Sequence, residues 1–366
     1  MSYSMKNPIT KEGSIWYTIT HIEELDREKY LKLVRGVAVF VGLAMIVSLA
    51  VFAVIAFLGG IGNVVRVILS MNLSLFALGL LAVFAGYMLR FIKWRYYLRR
   101  LNLKVPLGKN LIVYLSLYSM NITPGMLGRF LVGYTVSRLA KMKAANVIPI
   151  VTMDIFTDFI GTAVVALVAA LYFHQYVLYI IALDVVLLIP YAFILNDWFY
   201  RLIKRIFKGR KMLEMFTLYG DEYFASQSAL NTPGTYIVSL GVTIPAAVLT
   251  ALALFFTLAA IGIVPHFASS VFIYTSTQVV GMATAVPGSI GVTDGALVAV
   301  LGSSLHIGSD IASAVTILVR FATLWFGTAM GSILLIYSLR YWSESIDSGK
   351  GSKAKIAKKA EKLYRK

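Results

Sequence analysis

Six ionisable residues stand inside apolar stretches of this chain, where a charged side chain is costly. Inserting one charge at the centre of a membrane helix costs roughly 2.5–3.5 kcal/mol, and such residues usually mark a substrate pathway or pair with one another. These six are therefore the first candidates for chemistry. They are Arg129, Asp154, Asp158, Asp184, Asp294 and Arg320.

Two motifs of the form Pro-Gly-x-x-Gly interrupt apolar stretches of the chain. They consist of Pro124, Gly125 and Gly128 and, further along, of Pro287, Gly288 and Gly291. Proline removes a backbone donor and glycine loosens the chain, so each motif predicts an elbow between two short helices. Broken helices at corresponding positions of two halves indicate the central site of a transporter. The glycines would let a ligand approach the backbone, and close helix packing is their alternative role.

The charges around the two elbows are arranged reciprocally. Arg129 follows the first elbow, and Asp154 and Asp158 lie in the next apolar stretch; Asp294 follows the second elbow, and Arg320 lies in the stretch after it. The proline of each elbow precedes the charge in the following stretch by 34 and 33 residues. We expect these charges to converge on one buried polar cavity. The sequence leaves open whether Arg129 pairs with Asp158 or with Asp294.

Arginine indicates which ligand such a cavity would bind. Its planar guanidinium presents donors in a fork that matches phosphate, and the N-terminus of a half-helix adds free N–H groups and a positive dipole end. A phosphate held by Arg320 and Arg129 is one interpretation. Ion pairs that only hold a helix bundle together are the other.

Composition indicates an integral membrane protein. The 366 residues are 59% hydrophobic and 14% charged, and the net charge of +17 comes from short clusters between apolar stretches. This distribution is typical of the positive-inside pattern rather than of nucleic-acid binding. The chain has no cysteine, which excludes disulfides and thiolate chemistry. We see no nucleotide-binding loop, no metal-ligand spacing and no nucleophile with a base, so we expect no cofactor, no metal and no enzyme activity.

Helix lengths and basic clusters together predict the topology. A membrane crossing needs roughly 20 apolar residues, and six full crossings are expected, at 37–59, 68–90, 147–172, 176–195, 235–261 and 311–338. The two elbow segments are 110–137 and 268–304. Two crossings within the first segment would need about 40 residues, more than it has, so re-entrant hairpins are expected; a single kinked crossing is the alternative.

These expectations define an all-α polytopic fold arranged as an inverted-topology repeat. Residues 1–36 would be a cytoplasmic segment, either solvated or an interfacial amphipathic helix, and 37–340 the transmembrane domain. The cores of its two repeats would be 110–172 and 268–338. A basic cytoplasmic tail would follow at 341–366. The basic cluster after the second crossing, which begins at Lys93, is expected on the cytoplasmic side.

The second elbow resembles a known family. The run from Pro287 through Asp294, followed by Arg320, is similar to the transmembrane region of lysylphosphatidylglycerol synthases, a flippase-like family of integral membrane proteins. The first elbow is similar with departures: Met126 and Arg129 stand where the family has a basic and an acidic residue. The resemblance also picks out Asn121 and implies a substrate site of Asn121, Arg129, Asp154, Asp158, Asp294 and Arg320.

The resemblance implies a domain that moves a lipid or a lipid-linked headgroup between leaflets. Bacterial relatives carry a fused soluble aminoacyl-transferase, for which this chain has no room after its last crossing, so we expect no lipid aminoacylation. Membrane lipids with anionic headgroups are the expected partners, in the cell membrane of a bacterium or archaeon with both termini cytoplasmic. The alternatives are a secondary transporter of a small soluble anion and a noncatalytic partner of a lipid-pathway glycosyltransferase.

Overall fold

The structure is a computed structural model that describes residues 27–171, 177–178, 180–182, 184–185, 220–263, 266–284 and 286–338. All regular structure within these residues is helical. Six of the helical stretches are long and apolar enough to cross a membrane. The predicted all-α multi-pass class is therefore confirmed. The predicted tail 341–366 and most of the predicted crossing 176–195 lie outside the described residues.

Residues 27–171 contain six helices and one elbow. The long helix α1 (Arg27–Leu58) runs through the predicted boundary at residue 36. The remaining elements are α2 (Ile61–Ser70), α3 (Leu73–Arg100), α4 (Leu107–Ser116), 3-10 turns at Leu117–Ile122 and Pro124–Met126, α5 (Arg129–Ala140) and α6 (Ala144–Ala170). The turn Pro124–Met126 is the first elbow.

The second half of the described chain contains five helices and the second elbow. They are α7 (Gly220–Leu230), α8 (Pro233–Ala260), α9 (Phe267–Ala283), the elbow Pro287–Ser289, α10 (Val292–Leu305) and α11, which begins as Ser309–Arg320. After a π-helical turn at Phe321–Trp325, α11 continues as one membrane-crossing stretch to Ser338.

Five of the six candidate crossings correspond to predicted ones, and the sixth differs. It is Pro287–Leu305, which the sequence assigns to the second elbow segment, and it qualifies by length and composition only. The predicted crossing 68–90 is displaced to Leu73–Arg100. The physical reason is a helix cap, since Asn72 Oδ1 accepts hydrogen bonds from the backbone N–H groups of Ser74 and Leu75, at 3.0 and 3.2 Å.

Small residues allow the helices around the site to pack closely. Helices α3 and α8 lie against each other along their length, and a Cβ at Gly86 would lie 3.0 Å from the carbonyl oxygen of Ala246. Helix α6 packs against α8 where Gly161 meets Thr243, and a Cβ there would lie 2.4 Å from the threonine methyl. Close approach of small residues is typical of helix packing in membranes.

Contacts at the helix ends define two ends of the bundle. At one end, the N–H of Asn72 before α3 donates to the carbonyl of Ala260 at the end of α8, over 2.7 Å, and α2 packs against α11. At the other end, Arg100 of α3 donates to the carbonyl of Ala229 in α7, just before α8, over 3.2 Å.

Each elbow segment leaves and returns at the same end of the bundle. The first segment leaves the end of α3 and returns to the start of α6, where Asn146 lies 3.4 Å from Ser226 of α7. The second segment leaves the end of α8 and returns to the start of α11. A re-entrant arrangement requires such connections, and the positions of the elbows relative to a bilayer remain a prediction.

Candidate functional site

The two elbows have the same backbone conformation. Gly125 has φ 56° and Gly288 has φ 58°, and the residue after each, Met126 or Ser289, is also left-handed, with φ 58° and 53°. Glycine adopts this region without the penalty that a Cβ imposes. The elbows contact each other. A Cβ at Gly288 of the second elbow would lie 3.3 Å from Ile122, which belongs to the 3-10 turn before the first elbow.

A buried ion pair holds the second elbow. Arg320 Nε lies 2.9 Å from Asp294 Oδ1, and the side chains are 3% and 0% exposed. Asp294 also accepts the backbone N–H of Gly291 through Oδ2, at 2.7 Å, while Arg320 Nη2 donates to the carbonyl of Gly288 at 2.7 Å. The pair therefore connects the elbow to both α10 and α11, and it aligns with the predicted association of Asp294 and Arg320 with this elbow.

A corresponding ion pair lies at the first elbow, but here the arginine follows the elbow and the aspartate belongs to the next long helix. Arg129, the first residue of α5, lies 3.3 Å from Asp154 of α6. Its Nε and Nη2 also donate to Asn121 Oδ1 before the elbow, at 2.9 and 2.7 Å. The paired residues are 25 positions apart here and 26 in the second half. Arg129 thus pairs with Asp154, which is neither of the two partners that the sequence left open, Asp158 and Asp294.

Two basic residues of α3 lie beside the carboxylates of α6, and their role was not predicted from the sequence. Lys93 Nζ lies 2.7 Å from Asp158 and 3.1 Å from Asp154, and Arg90 Nε lies 3.2 Å from Asp158. The prediction that Lys93 follows the second crossing was wrong, because this residue lies within the helical stretch Leu73–Arg100. Helix α3 continues to Arg100 and turns this fully buried lysine toward α6, where two carboxylates compensate its charge.

The spacing of these residues was a usable signal. Arg90 and Lys93 are three positions apart, and Asp154 and Asp158 are four apart. Each pair therefore lies on one face of its helix. Two such faces of opposite charge in separate apolar helices are complementary, which favours contact between α3 and α6.

A cavity of about 210 Å³ lies where the two elbows meet. Among the described residues, three arginines and one carboxylate line it, Arg90, Arg129, Arg320 and Asp158, and both elbows contribute through Gly125 and Gly288. Further polar lining comes from two amides, three tyrosines and five smaller hydroxyl residues. They are Asn121, Gln278, Tyr87, Tyr118, Tyr274, Thr123, Thr162, Thr250, Ser289 and Thr323.

The cavity wall includes only some of the residues that the sequence singled out. Those that line it are Asn121, Gly125, Arg129, Asp158, Gly288 and Arg320; those that do not are Gly128, Asp154, Pro287, Gly291 and Asp294, and the side chain of Pro124 lies outside the described residues. Asp154 and Asp294 instead lie behind Arg129 and Arg320 as their ion-pair partners. Asp184 is 7% exposed and is not part of the lining.

The charge of this site favours an anion. The described charged groups are four cations, Arg90, Lys93, Arg129 and Arg320, and three carboxylates, Asp154, Asp158 and Asp294. One positive charge is left uncompensated. Guanidinium groups in a dry environment bind phosphate or carboxylate through charge-assisted hydrogen bonds. Within the described residues no group of three or more His, Asp or Glu side chains has the arrangement of a metal site.

Comparison with known proteins agrees with the sequence resemblance. No curated protein matches this chain. The family described as the lysylphosphatidylglycerol synthase TM region matches residues 45–331, a stretch that runs from within α1 to the last part of α11 and includes every residue of the cavity wall. Since the match covers well over half of the 366 residues, this multi-pass membrane protein belongs to the lysylphosphatidylglycerol synthase transmembrane-region family.

Proposed function

We propose that this protein is a lipid translocase that moves a phosphate-bearing phospholipid or polyprenyl-linked lipid between leaflets. The observation that carries the proposal is the cavity at the contact of the two elbows, which arginines from both halves of the chain line. Membership of a family named for a lipid enzyme's membrane region supports a lipid substrate.

The size of the cavity favours a headgroup over a whole lipid. Pockets for drug-sized ligands measure roughly 300–1,000 Å³, and this cavity measures about 210 Å³. A phosphate with a small substituent fits such a volume, so the hydrophobic tails would remain in the bilayer. Arg320, Arg129 and Arg90 would bind the phosphate oxygens, and Asn121 would orient Arg129 through its carbonyl oxygen.

The ion pairs suggest how the two halves could move during transport. Alternating access in such transporters is largely a rocking of one repeat against the other around a fixed site. Arg129–Asp154 lies within the first half and Asp294–Arg320 within the second. Because neither pair crosses between the halves, rocking would not separate buried opposite charges, which would cost about 3–5 kcal/mol for each broken pair.

The role we propose is transport without covalent chemistry, in the cell membrane of a bacterium or archaeon. Membrane lipids are the proposed partners, and both termini are proposed to face the cytoplasm. A carrier of a small soluble phosphate would use the same arginines, and a membrane partner of a lipid-pathway glycosyltransferase would need no transport. These two alternatives are outcomes of the test.

The test is leaflet exchange of labelled phosphatidylglycerol and polyprenyl phosphate in liposomes that contain the purified protein. The decisive variant combines Asp294→Asn with Arg320→Gln, so that no buried charge is left unpaired. We expect exchange above that of empty liposomes for the unmodified protein. Loss of the charge-assisted bonds from Arg320 should slow it about tenfold or more in the double variant.

Arg66→Gln is the matched control, because Arg66 is an exposed arginine of α2 outside the cavity wall. Its exchange rate should equal that of the unmodified protein. Absence of exchange for every lipid, together with uptake of inorganic phosphate, would overturn the translocase in favour of an anion carrier. Absence of both activities would favour the partner role.

A further inference from the structure

We propose that the cavity selects headgroups of net negative charge, such as phosphatidic acid or unmodified phosphatidylglycerol, and rejects headgroups that carry an ammonium group. We further propose that Gln278 is the neutral donor that helps bind the phosphate. This inference rests on the proposed function and names its substrate class. The proposed selection excludes the lysyl-bearing lipid after which the family is named.

The first support is the state of the one carboxylate in the described cavity wall. Asp158 Oδ1 lies 2.7 Å from Lys93 Nζ and 3.2 Å from Arg90 Nε, and Thr243 Oγ1 lies 3.5 Å away. Both cations contact Oδ1, so the negative charge of Asp158 is already compensated before an ammonium group enters the cavity. The side chain of Asp158 is 16% exposed, so little of it is open to a ligand.

The second support is the position of the other two carboxylates. Asp154 and Asp294 are absent from the cavity wall, and each lies behind the arginine with which it pairs. A ligand in the cavity therefore meets guanidinium groups first. Like charges repel more strongly at buried sites than in water, so an ammonium beside Arg90, Arg129 and Arg320 would be disfavoured, and an anion would compensate the surplus positive charge.

The third support is a buried amide without a partner. Gln278 lies on α9 and lines the cavity, and its Nε2 is shielded from solvent and has no hydrogen-bond partner among the described residues. Buried donors are nearly always hydrogen-bonded, since an unsatisfied one costs free energy. Rotation of the terminal amide would turn this nitrogen toward the cavity, where an acceptor oxygen of a ligand would satisfy it. The amide donates without adding charge, which distinguishes its contribution from that of the arginines.

The test measures binding by the purified full chain in detergent, with phosphatidic acid, phosphatidylglycerol and lysyl-phosphatidylglycerol as probes. We expect both anionic lipids to bind about tenfold or more tightly than the lysyl lipid, which corresponds to at least one charge-assisted contact. Soluble glycerol 3-phosphate is a separate arm. Weak binding of it would identify the lipid headgroup as the source of the phosphate, and binding as tight as that of phosphatidic acid would identify a soluble anion.

Variants of Gln278 test the amide. Gln278→Leu should weaken binding of phosphatidic acid about fivefold, the loss expected for one neutral hydrogen bond. Gln278→Glu should weaken it further and raise the relative affinity for the lysyl lipid, which a purely structural role would not do. Gln227→Leu is the matched control, because Gln227 is a buried glutamine of α7 whose side-chain amide also has no partner in the described structure, away from the cavity wall.

Lysyl-phosphatidylglycerol that binds as tightly as phosphatidic acid would overturn the charge selection, while exchange of phosphatidylglycerol would leave the proposed function standing. If the protein binds anionic lipids selectively but exchanges no lipid, the charge selection would be supported and the proposed translocase function would be overturned. Unchanged phosphatidic acid binding in both Gln278 variants would overturn the assignment of that residue.

Discussion

At the scale of single residues, Lys93 is the charge whose surroundings explain most about the site. It is fully buried, it lies between two carboxylates of α6, and Nζ also donates to Thr157 Oγ1 at 3.0 Å. A buried charge is tolerated only when it is paired and hydrogen-bonded. Lys93 therefore allows Asp154 and Asp158 to occupy adjacent turns of one helix.

Replacement of this lysine should destabilise the protein. Lys93→Met leaves Asp154 and Asp158 close together with less positive charge nearby, and removal of one partner from a buried pair costs about 3–5 kcal/mol. We expect a clearly lower unfolding midpoint in detergent. Lys104→Met, at an exposed position after α3, should leave the midpoint unchanged. Addition of Asp154→Asn to Lys93→Met should restore part of the loss; no recovery would argue against charge as the cause.

At the scale of elements, α11 combines a special backbone with close packing. A π-helical turn follows Arg320, and the carbonyl of Thr323 in this turn accepts a hydrogen bond from the hydroxyl of Tyr87 at 3.1 Å. Such turns occur frequently at functional sites because they displace the register of the helix locally. Further along α11, Gly331 lies against the backbone before the first elbow, where a Cβ would lie 2.4 Å from the N atom of Ser119.

This contact predicts unequal effects for two glycine substitutions. Gly331→Ala should destabilise the protein by about 1–3 kcal/mol through overpacking, because the obstructing atom belongs to the backbone and cannot rotate away. Gly241→Ala, on an exposed face of α8 with nothing within 4 Å, should be neutral or slightly stabilising. Thermal unfolding of both variants measures the difference. Equal midpoints would contradict the close contact of α11 with this segment.

At the scale of the whole molecule, the two elbow segments connect to opposite ends of the helix bundle. The first runs between the end of α3 and the start of α6, and the second between the end of α8 and the start of α11. The elbows nevertheless contact each other, and the cavity lies at that contact. The predicted re-entrant arrangement, with one hairpin from each face of the membrane, would suit alternating access.

The predicted topology can be tested directly because the chain has no cysteine. We expect Met126→Cys, at the first elbow, to react with a membrane-impermeant thiol reagent added from the cytoplasmic side. Ser289→Cys, at the second elbow, should react only from the outside. Both residues are partly exposed. Labelling of Met126→Cys from the outside alone would exclude the re-entrant arrangement with a cytoplasmic N-terminus.

The sequence by itself determined the features that depend on local chemistry. Apolar stretches of sufficient length predict helices in a membrane wherever they lie in the fold, and the all-α class followed from them. The two Pro-Gly motifs predict breaks for the same local reason, and both elbows are found there with left-handed glycines. Arg129, Asp158 and Arg320 drew attention because a charge in an apolar stretch is conspicuous without any knowledge of its neighbours.

The tertiary structure alone decided which of these charges meet and which face the cavity. Hydropathy cannot show how far a helix such as α3 continues or how it is rotated. The sequence therefore placed Lys93 after the second crossing, although this residue faces Asp154 and Asp158. Contacts between separate helices decide which carboxylate pairs with Arg129. They also decide that Asp294 lies behind Arg320 rather than in the cavity wall. Gln278 carries no charge, and only the cavity around it distinguishes it from an ordinary polar residue of a membrane helix.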